Sequence, residues 1–216
     1  MMFISGKGYN MFEKKVLDIS HWQGDVDFRK LKENNVWGVI LKCGGAENGK
    51  YYVDKKFFTN YAQAVQNGLH IGCYWFTGMK FTANEESKQF HKLISGMKFD
   101  LPVYIDFEVS TPQLKRENTQ YVIDFIENMY RLGKYFVGIY ASDLSGFMDR
   151  LNATLLLNYT WWVARYGTEV KYAKMNCHMW QYTSSGVMSG IKGYVDMNYC
   201  YRDFPTVIIG GHYNGY

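Results

Sequence analysis

Short apolar runs bounded by turn residues alternate with amphipathic segments along most of the chain. Eight of the runs have the length and the β-branched and aromatic content of strands, and they lie at 15–20, 36–44, 70–77, 101–108, 134–142, 159–167, 177–183 and 193–201. After each of the first five runs, apolar residues recur at helical spacing, which predicts helices at 26–35, 55–68, 83–97, 118–133 and 143–152. Thr82 and Glu85 form a capping-box pattern at the start of the third helix, and Gly68 and Gly133 are predicted C-caps.

The order of these elements predicts the fold class. Alternating strands and helices are typical of a parallel sheet covered by helices, and eight strands close a small barrel. We therefore expect an α/β fold: a single TIM-like barrel with helices after only the first five strands, (β/α)5(β)3. The barrel is predicted to span residues 15–205, between a polar leader at 1–14 and a tail at 206–216 that is either a docked extension or the remnant of a linker.

Two carboxylates interrupt the fourth predicted strand, in the segment LPVYIDFEVS. Side chains alternate across a strand, so Asp106 and Glu108 share the face of Tyr104, opposite the apolar face of Ile105 and Phe107. Burying ionised carboxylates without compensation is strongly unfavourable, which argues against a position in a dry core. Barrels of this kind place catalytic groups at the carboxyl-terminal mouth. We therefore expect both acids at the lip of a cleft.

Two more acids are expected at the same mouth, because the same alternation directs Asp18 and Asp196 away from their apolar neighbours. The first and eighth strands of a closed barrel are neighbours and the fourth lies across from them. Clustered carboxylates raise one another's pKa, and a protonated acid beside an ionised one is what glycosidic bond cleavage needs. Capping or ion pairing is the alternative for each acid alone, and binding of Mg²⁺ or Ca²⁺ is the alternative for the cluster.

Aromatic and amide side chains near the strand ends supply candidate substrate contacts. Aromatic faces can stack on sugar rings, although each of these residues would also suit a core. The aromatic candidates are Trp22, Tyr74, Phe76, Tyr140, Trp162, Trp180 and Tyr182. Gln181 and Asn198 carry amides that can hydrogen-bond to hydroxyl or acetamido groups.

Composition excludes several other classes of protein. The net charge of +4 comes with no run of Lys and Arg interleaved with aromatics, so no nucleic-acid partner is expected. No apolar stretch is long enough to predict a membrane span, and the start, MMFISGKGYNMFEKK, lacks the basic region and apolar core of a signal peptide. The histidines show no metal-ligand spacing, and there is no G-x-S-x-G elbow of a serine hydrolase.

Two further patterns have simple interpretations. The segment 44–51 matches G-x-x-x-x-G-K, but Tyr51 stands in its last position, where a phosphate-binding loop needs Ser or Thr, so a plain loop is predicted. The cysteines lie far apart inside apolar runs, and we predict free thiols at Cys43, Cys73, Cys177 and Cys200.

Six segments together carry a resemblance to a known family. They are VLDISHWQGDVDF, YIDFE, GIYAS, WWVARY, MWQYTSSG and YVDMNY, in chain order. They resemble the lysozymes of glycoside hydrolase family 25, over roughly residues 15–205. The fold of that family, an eight-stranded barrel with five helices, agrees with the strand count above.

The resemblance implies hydrolysis of the β-1,4 bond between N-acetylmuramic acid and N-acetylglucosamine in peptidoglycan, without a metal or another cofactor. Glu108 resembles the general acid of the family, and Asp106 resembles its partner. Residues that resemble supporting acids and substrate-contacting aromatics are Asp18, Asp196, Tyr74, Tyr140 and Trp162. Gln181 is a further candidate for substrate binding.

The expected substrate also suggests a mechanism. Its 2-acetamido group can attack the anomeric carbon, and a D-x-E pair suits such a substrate-assisted route. Asp106 would orient the acetamido nitrogen, while Glu108 would protonate the leaving oxygen and then activate water. Two rivals are a non-catalytic sugar-binding barrel, which would be expected to lack one of the acids, and a metal-dependent hydrolase, which chelation would inactivate.

The setting is also implied by the resemblance. A lysozyme without a signal peptide resembles a phage endolysin, which stays in the host cytoplasm until a separate membrane pore releases it to the wall. Otherwise the protein would be extracellular by an unknown route. The expected partner is the glycan strand of peptidoglycan, with no membrane association, and we expect a monomer.

Overall fold

Nine β-strands form one sheet in the computed structural model, which describes residues 12–108 and 114–216. In chain order, β1 to β9 are Lys14–Ile19, Gly38–Glu47, Lys50–Val53, His70–Thr77, Val103–Asp106, Val137–Ser142, Thr160–Ala164, Cys177–Gly186 and Val195–Cys200. Every strand except β3 belongs to the closed barrel, because β1 pairs with both β2 and β9. The predicted eight-stranded barrel is therefore confirmed.

The last strand departs from the expected parallel sheet. β9 runs antiparallel to both of its neighbours, β8 and β1, whereas the other pairs within the barrel are parallel. A parallel return needs a crossover of a dozen or more residues, and the segment between Gly186 and Val195 is shorter than that. The amino-terminal end of β9 therefore lies at the mouth of the barrel.

Helices cover the first part of the barrel, as predicted. The α-helices are α1 to α5, at Phe28–Glu33, Phe57–Gln66, Ala83–Ile94, Lys115–Gly133 and Phe204–Gly210. A short π-helix at Asp143–Met148 takes the place of the fifth predicted helix, and single 3₁₀ turns lie at His21–Gln23, Ala153–Leu156 and Ala173–Asn176. Within the described ranges, β7 to β9 are joined without an α-helix. The (β/α)5(β)3 arrangement holds.

The helix α5 was not predicted from the sequence. It packs across the end of the barrel opposite the mouth, which we call the floor, and buries Phe204 and Ile208. They join an apolar cluster inside the barrel whose other members are Val16, Ile40, Leu101, Tyr104, Tyr140, Trp162, Met179 and Cys200. The buried Asn214 side chain accepts from Phe136 N at 2.8 Å and donates to Leu101 O at 3.1 Å. Residues 206–216 are thus docked on the floor.

The glycine-rich segment 44–51 forms a hairpin rather than the predicted plain loop. β2 continues through it and pairs antiparallel with β3, from Gly44 opposite Val53 to Glu47 opposite Lys50. Asn48 and Gly49 occupy the turn with φ of 51° and 71°. Both central residues of a type I′ hairpin turn need positive φ, and Asn-Gly is its preferred sequence.

Of the three helix-end features predicted from the sequence, two are confirmed. Thr82 N donates to Glu85 Oε2 at 2.9 Å and Glu85 N donates to Thr82 Oγ1 at 3.3 Å, which confirms the capping box of α3. Gly68 has the expected left-handed backbone, with φ of 62°. At the end of α4 the left-handed residue is Lys134, with φ of 52°, because the helix includes Gly133.

All four cysteines are free, as predicted, with Cys43, Cys73 and Cys200 buried and Cys177 half-buried. Most of the predicted leader lies outside the described residues, which start at Phe12. Among the helices of the described ranges, none has the length and apolar character to cross a membrane.

Candidate active site

A cavity of about 220 Å³ opens at the carboxyl-terminal mouth of the barrel. The inward-facing residues near the ends of β1, β2, β4, β5, β6, β7 and β8 and the start of β9 form its walls, because side chains alternate along each strand. The lining residues are Asp18, Lys42, Tyr74, Phe76, Asp106, Glu108, Tyr140, Trp162, Tyr166, Gln181 and Asp196. The cavity therefore brings together nine of the residues that the sequence offered as candidates, namely the four acids, Gln181, Tyr74, Phe76, Tyr140 and Trp162.

Asp18 and Asp196 form a hydrogen-bonded carboxyl pair on one wall. They face each other in the register of β1 and β9, which is possible because antiparallel β9 begins at the mouth. Burial raises the pKa of Asp18 well above its usual range, and the neighbouring Asp196 raises it further. The pKa of Asp196 is also raised by burial, while its hydrogen bond with Asp18 opposes that shift. Asp18 is therefore the more readily protonated member of the pair.

Two buried amides hold Asp18 in place. Gln181 Nε2 and Asn198 Nδ2 both donate to Asp18 Oδ2, at 3.0 Å and 2.9 Å. Asn198 Oδ1 in turn accepts from Trp162 Nε1 at 2.7 Å. Gln181 Oε1 accepts hydrogen bonds of 2.8 Å from two tyrosine hydroxyls, those of Tyr140 and Tyr166. Because these amide oxygens are engaged within the protein, the geometry favours a positioning role for both amides over direct contact with a ligand.

Asp106 and Glu108 stand on the opposite wall and differ in their exposure. Asp106 is the last residue of β5 and is 5% exposed, whereas Glu108 lies two residues beyond it and is accessible at the mouth. Burial raises the pKa of Asp106 well above its usual range, and the charge of Glu108 raises it further. Desolvation of the carboxyl group by the cavity wall is the main cause of the raised pKa of Glu108. Arg150 donates to the Glu108 carbonyl and anchors the segment.

One oxygen of Asp106 has no hydrogen-bond partner in the protein. Its Oδ1 is buried and unbonded within the described residues. Buried carboxylate oxygens are nearly always hydrogen-bonded, so an unbonded one at a cavity is a position for a donor from a ligand. The cavity can therefore accept one N–H or O–H group at this point.

Lys42 supplies a positive charge to the cavity wall. Its Nζ lies 5.7, 5.7 and 5.3 Å from the ring centroids of Tyr52, Tyr74 and Phe76, at distances typical of cation–π contacts. The same charge acts on Asp106 and Glu108 and lowers the pKa of each, in opposition to burial. The lysine thus favours the ionised form of either acid.

The aromatic candidates separate into two groups. Tyr74, Phe76, Tyr140 and Trp162 line the cavity, and the ring centroids of Trp162 and Tyr140 lie 4.4 Å apart. Trp180 and Tyr182 point the other way, to the outer face of the barrel, where they pack against Tyr199. The alternation that directs Gln181 inward requires both of its neighbours to point outward, so neither of them lies in the cleft.

Two lining residues, Lys42 and Tyr166, were missed by the sequence analysis. The available signal was again alternation: Lys42 follows Ile40 on the inner face of β2, and Tyr166 follows Trp162 and Ala164 beyond β7. A lysine within the apolar run VILKCG is as unusual as the two acids in YIDFE. Side-chain alternation along β2 and along β7 and its extension therefore predicts both residues.

The combination of groups indicates acid–base chemistry. Raised carboxyl pKa values, a nearby cation and aromatic walls together suit protonation of a leaving group on a sugar. Within the described ranges, no group of three or more His, Cys, Asp or Glu side chains is arranged to hold a metal ion. The four acids instead form two pairs on opposite walls.

Similar solved structures support the fold. A family 25 glycosyl hydrolase from Bacillus anthracis superposes with a TM-score of 0.77 at 24% identity and covers 96% of each chain. The catalytic domain of endolysin ply40, from bacteriophage P40 of Listeria monocytogenes, gives a TM-score of 0.76 at 26% identity and covers 94% of this chain and 100% of its own.

Sequence comparisons agree with this likeness. The autolytic lysozyme of Clostridium acetobutylicum is 31% identical over 201 residues, which cover 91% of this chain. The chain spans 58% of the length of that relative. The model of glycosyl hydrolases family 25 matches residues 17–191. This match covers most of the barrel, and the chain therefore belongs to glycosyl hydrolase family 25.

Proposed function

We propose that this protein is a lysozyme that hydrolyses the β-1,4 bond between N-acetylmuramic acid and N-acetylglucosamine in peptidoglycan. The observation that carries the proposal is the D-x-E pair at the cavity: a buried Asp106 with an unbonded oxygen, beside a more accessible Glu108 with a raised pKa. The lysozyme name of the Clostridium relative supports the same substrate class. The partner is a glycan strand, and we propose a monomer that requires no cofactor.

Asp106 is proposed to orient the 2-acetamido group of the substrate. An acetamido N–H that donates to Asp106 Oδ1 would satisfy the unbonded oxygen and turn the carbonyl oxygen of the same group toward the anomeric carbon. Hydrogen bonds to a carboxylate stabilise its charged form. Substrate binding would therefore keep Asp106 ionised, and the proton of the pair would reside on Glu108.

Glu108 is proposed as the general acid. Its raised pKa favours the protonated form required to donate to the leaving oxygen, and its accessible position at the mouth admits the glycosidic bond. After departure of the leaving group, the carboxylate of Glu108 would activate the water that opens the intermediate formed by the acetamido group. The product would retain its configuration without a covalent bond to the enzyme.

The remaining residues are proposed to bind and orient. Asp18 and Asp196 would hold the sugar ring through their carboxyl pair, which Gln181 and Asn198 keep in position. The cavity aromatics, Tyr74, Tyr140 and Trp162, would contact the sugar faces. The cellular setting proposed is that of an endolysin that acts on the cell wall.

The reaction is tested by digesting purified peptidoglycan and analysing the new reducing ends by mass spectrometry. Ends of N-acetylmuramic acid are expected. Ends of N-acetylglucosamine would show a glucosaminidase, and an absence of new ends with an intact, folded protein would leave only sugar binding. Activity should persist in EDTA, and a loss that Mg²⁺ or Ca²⁺ restores would favour a metal-dependent enzyme.

The assisted route has its own test. NMR of the first-formed product should show the β anomer, since the reaction proceeds with net retention. An initial α anomer would mean inversion and would exclude the route. Asp106→Asn should lose activity while it still binds the glycan.

A further inference from the structure

Trp22 is the most exposed large apolar residue in the described part of the chain. It is 80% exposed and lies in the 3₁₀ turn that directly follows β1, at the rim of the mouth and four residues after Asp18. One face of its indole rests on the imidazole of His21, with ring centroids 4.6 Å apart and an angle of 34° between the planes. The other side of the ring therefore remains open to solvent.

The turn that carries Trp22 is braced from within. Ser20 and Gln23 form a capping box in which Ser20 N donates to Gln23 Oε1 at 2.9 Å, and Trp22 N donates to Ser20 Oγ at 3.2 Å. These bonds fix the backbone on both sides of the tryptophan. A ring held this way loses little further conformational freedom when a ligand covers it.

The turn is also braced from both sides of the rim. On one side, the buried Asp54 accepts from His21 Nδ1 at 2.6 Å and from His21 N at 3.1 Å, which ties the turn to the end of β3. On the other side, Gln23 Nε2 donates to Tyr194 O at 3.4 Å, just before β9. Tyr194 is itself 67% exposed. The turn that carries Trp22 is thus tied to the chain on both sides of the wall formed by Asp18 and Asp196.

We propose that Trp22 forms an outer subsite on which a pyranose ring of the glycan strand stacks, outside the cavity where the bond is cleaved. This inference rests on the proposed function and extends its substrate contacts along the strand. The apolar faces of pyranose rings pack against aromatic faces, and a rigid, exposed platform is suited to that contact. The subsite continues the cleft past the edge where β1 meets β9, so it engages chains longer than the cavity holds.

The test compares Trp22→Ala, Trp22→Tyr and the parent protein on soluble, peptide-free glycan strands. Trp22→Ala should raise KM roughly 3- to 10-fold, the range expected for loss of an aromatic contact, with the loss in KM rather than in kcat. Trp22→Tyr keeps an aromatic face and should restore most of the affinity. A matched control is Tyr130→Ala, which removes an exposed ring on α4, near the floor. It should leave KM as in the parent.

The outcomes separate this inference from the proposed function. A parent protein that fails to cleave the strands would refute the function itself. If the parent cleaves them, an unchanged KM in Trp22→Ala, a loss confined to kcat, or a Trp22→Tyr variant as impaired as the alanine variant would overturn the subsite. An unchanged KM would leave Trp22 as a surface for another protein. Equal thermal unfolding of all variants is expected, because the ring is exposed.

Discussion

Two acids only two residues apart acquire different surroundings because the strand ends between them. Asp106 closes β5 and is enclosed by its neighbours on β4 and β6, Phe76 and Tyr140. Glu108 lies past the end of the strand and reaches solvent. One carboxyl group is thereby suited to a fixed hydrogen bond and the other to proton exchange with a substrate.

Substitution of Glu108 tests this division. Glu108→Gln should lower kcat about 10²- to 10⁴-fold, because the amide keeps the shape of the side chain but cannot donate the proton needed by the leaving oxygen. Turnover of soluble glycan strands measures the effect. Glu117→Gln, an exposed substitution on α4, is the control. A folded Glu108→Gln enzyme within a few-fold of the parent would remove Glu108 from the role of general acid.

Lys42 offers a second test at this scale, through the pH dependence of activity. The lysine lowers the pKa of both Asp106 and Glu108, so Lys42→Met should raise both. The acid limb of the profile requires ionised Asp106 and the alkaline limb requires protonated Glu108, so both limbs should move to higher pH. Profiles of kcat/KM for Lys42→Met and for the exposed control Lys50→Met would show the shift. Movement to lower pH would contradict the assigned charges.

Alternation along each strand was enough to predict all four acids and four of the five aromatics that line the cavity. It could not reveal that Asp18 and Asp196 face each other and that Asp196 raises the pKa of Asp18, since that depends on which strands pair and in which register. Nor could it distinguish Gln181 as a support of Asp18 from a ligand contact, because the hydrogen bonds of its amide run to three other strands or loops. Pairing across the barrel is a property of the fold rather than of any local segment.

At the scale of elements, segments with a periodic apolar pattern were predicted, including the six-residue α1, whereas α5 and one hairpin were not. α2, α3 and α4 were found because each carries several turns of an apolar stripe. α5 has only seven residues, and the hairpin of β2 and β3 was hidden in a glycine-rich segment. Both are short elements whose stability comes from packing on the barrel, which no local pattern records.

The contribution of α5 can be measured with two adjacent residues. Ile208 is fully buried in the barrel floor, whereas Ile209 is 44% exposed. Ile208→Ala should lower the free energy of unfolding by about 2–5 kcal/mol, through lost burial and the cavity left behind. Ile209→Ala should change it by less than about 0.5 kcal/mol. Chemical denaturation of the two variants tests this, and equal effects would mean that the helix does not seal the floor.

At the scale of the whole molecule, the paired acids link folding stability to pH. A carboxyl group whose pKa is raised on folding contributes stability that is fully present below its ordinary pKa and is lost as the pH rises through the raised value. Asp18 is such a group, since burial and Asp196 both raise its pKa. The stability that Asp18 contributes to the folded state should therefore decrease progressively as the pH rises from acid to alkaline.

Asp18→Asn isolates that effect. The amide oxygen can still accept from Gln181 and Asn198, and the amide N–H can donate to Asp196. The variant should be inactive. The difference between its melting temperature and that of the parent should shift in favour of the variant as the pH rises from acid to alkaline. Asp149→Asn, at an exposed position, should show no such trend. A difference that is constant with pH would show that Asp18 titrates normally in the folded protein.

The direction of the last barrel strand also decides where the two ends of the folded chain emerge. β1 begins at the floor, and because β9 is antiparallel to it, β9 ends there as well. Phe12 packs 5.4 Å from Trp37, just before β2, and Tyr216 lies under Lys98, before β5. The first described residue and the carboxyl-terminal residue therefore both lie on the side away from the mouth. A domain fused after Tyr216 would extend from the floor and keep clear of the cleft, and a tether there would present that cleft outward from its anchor.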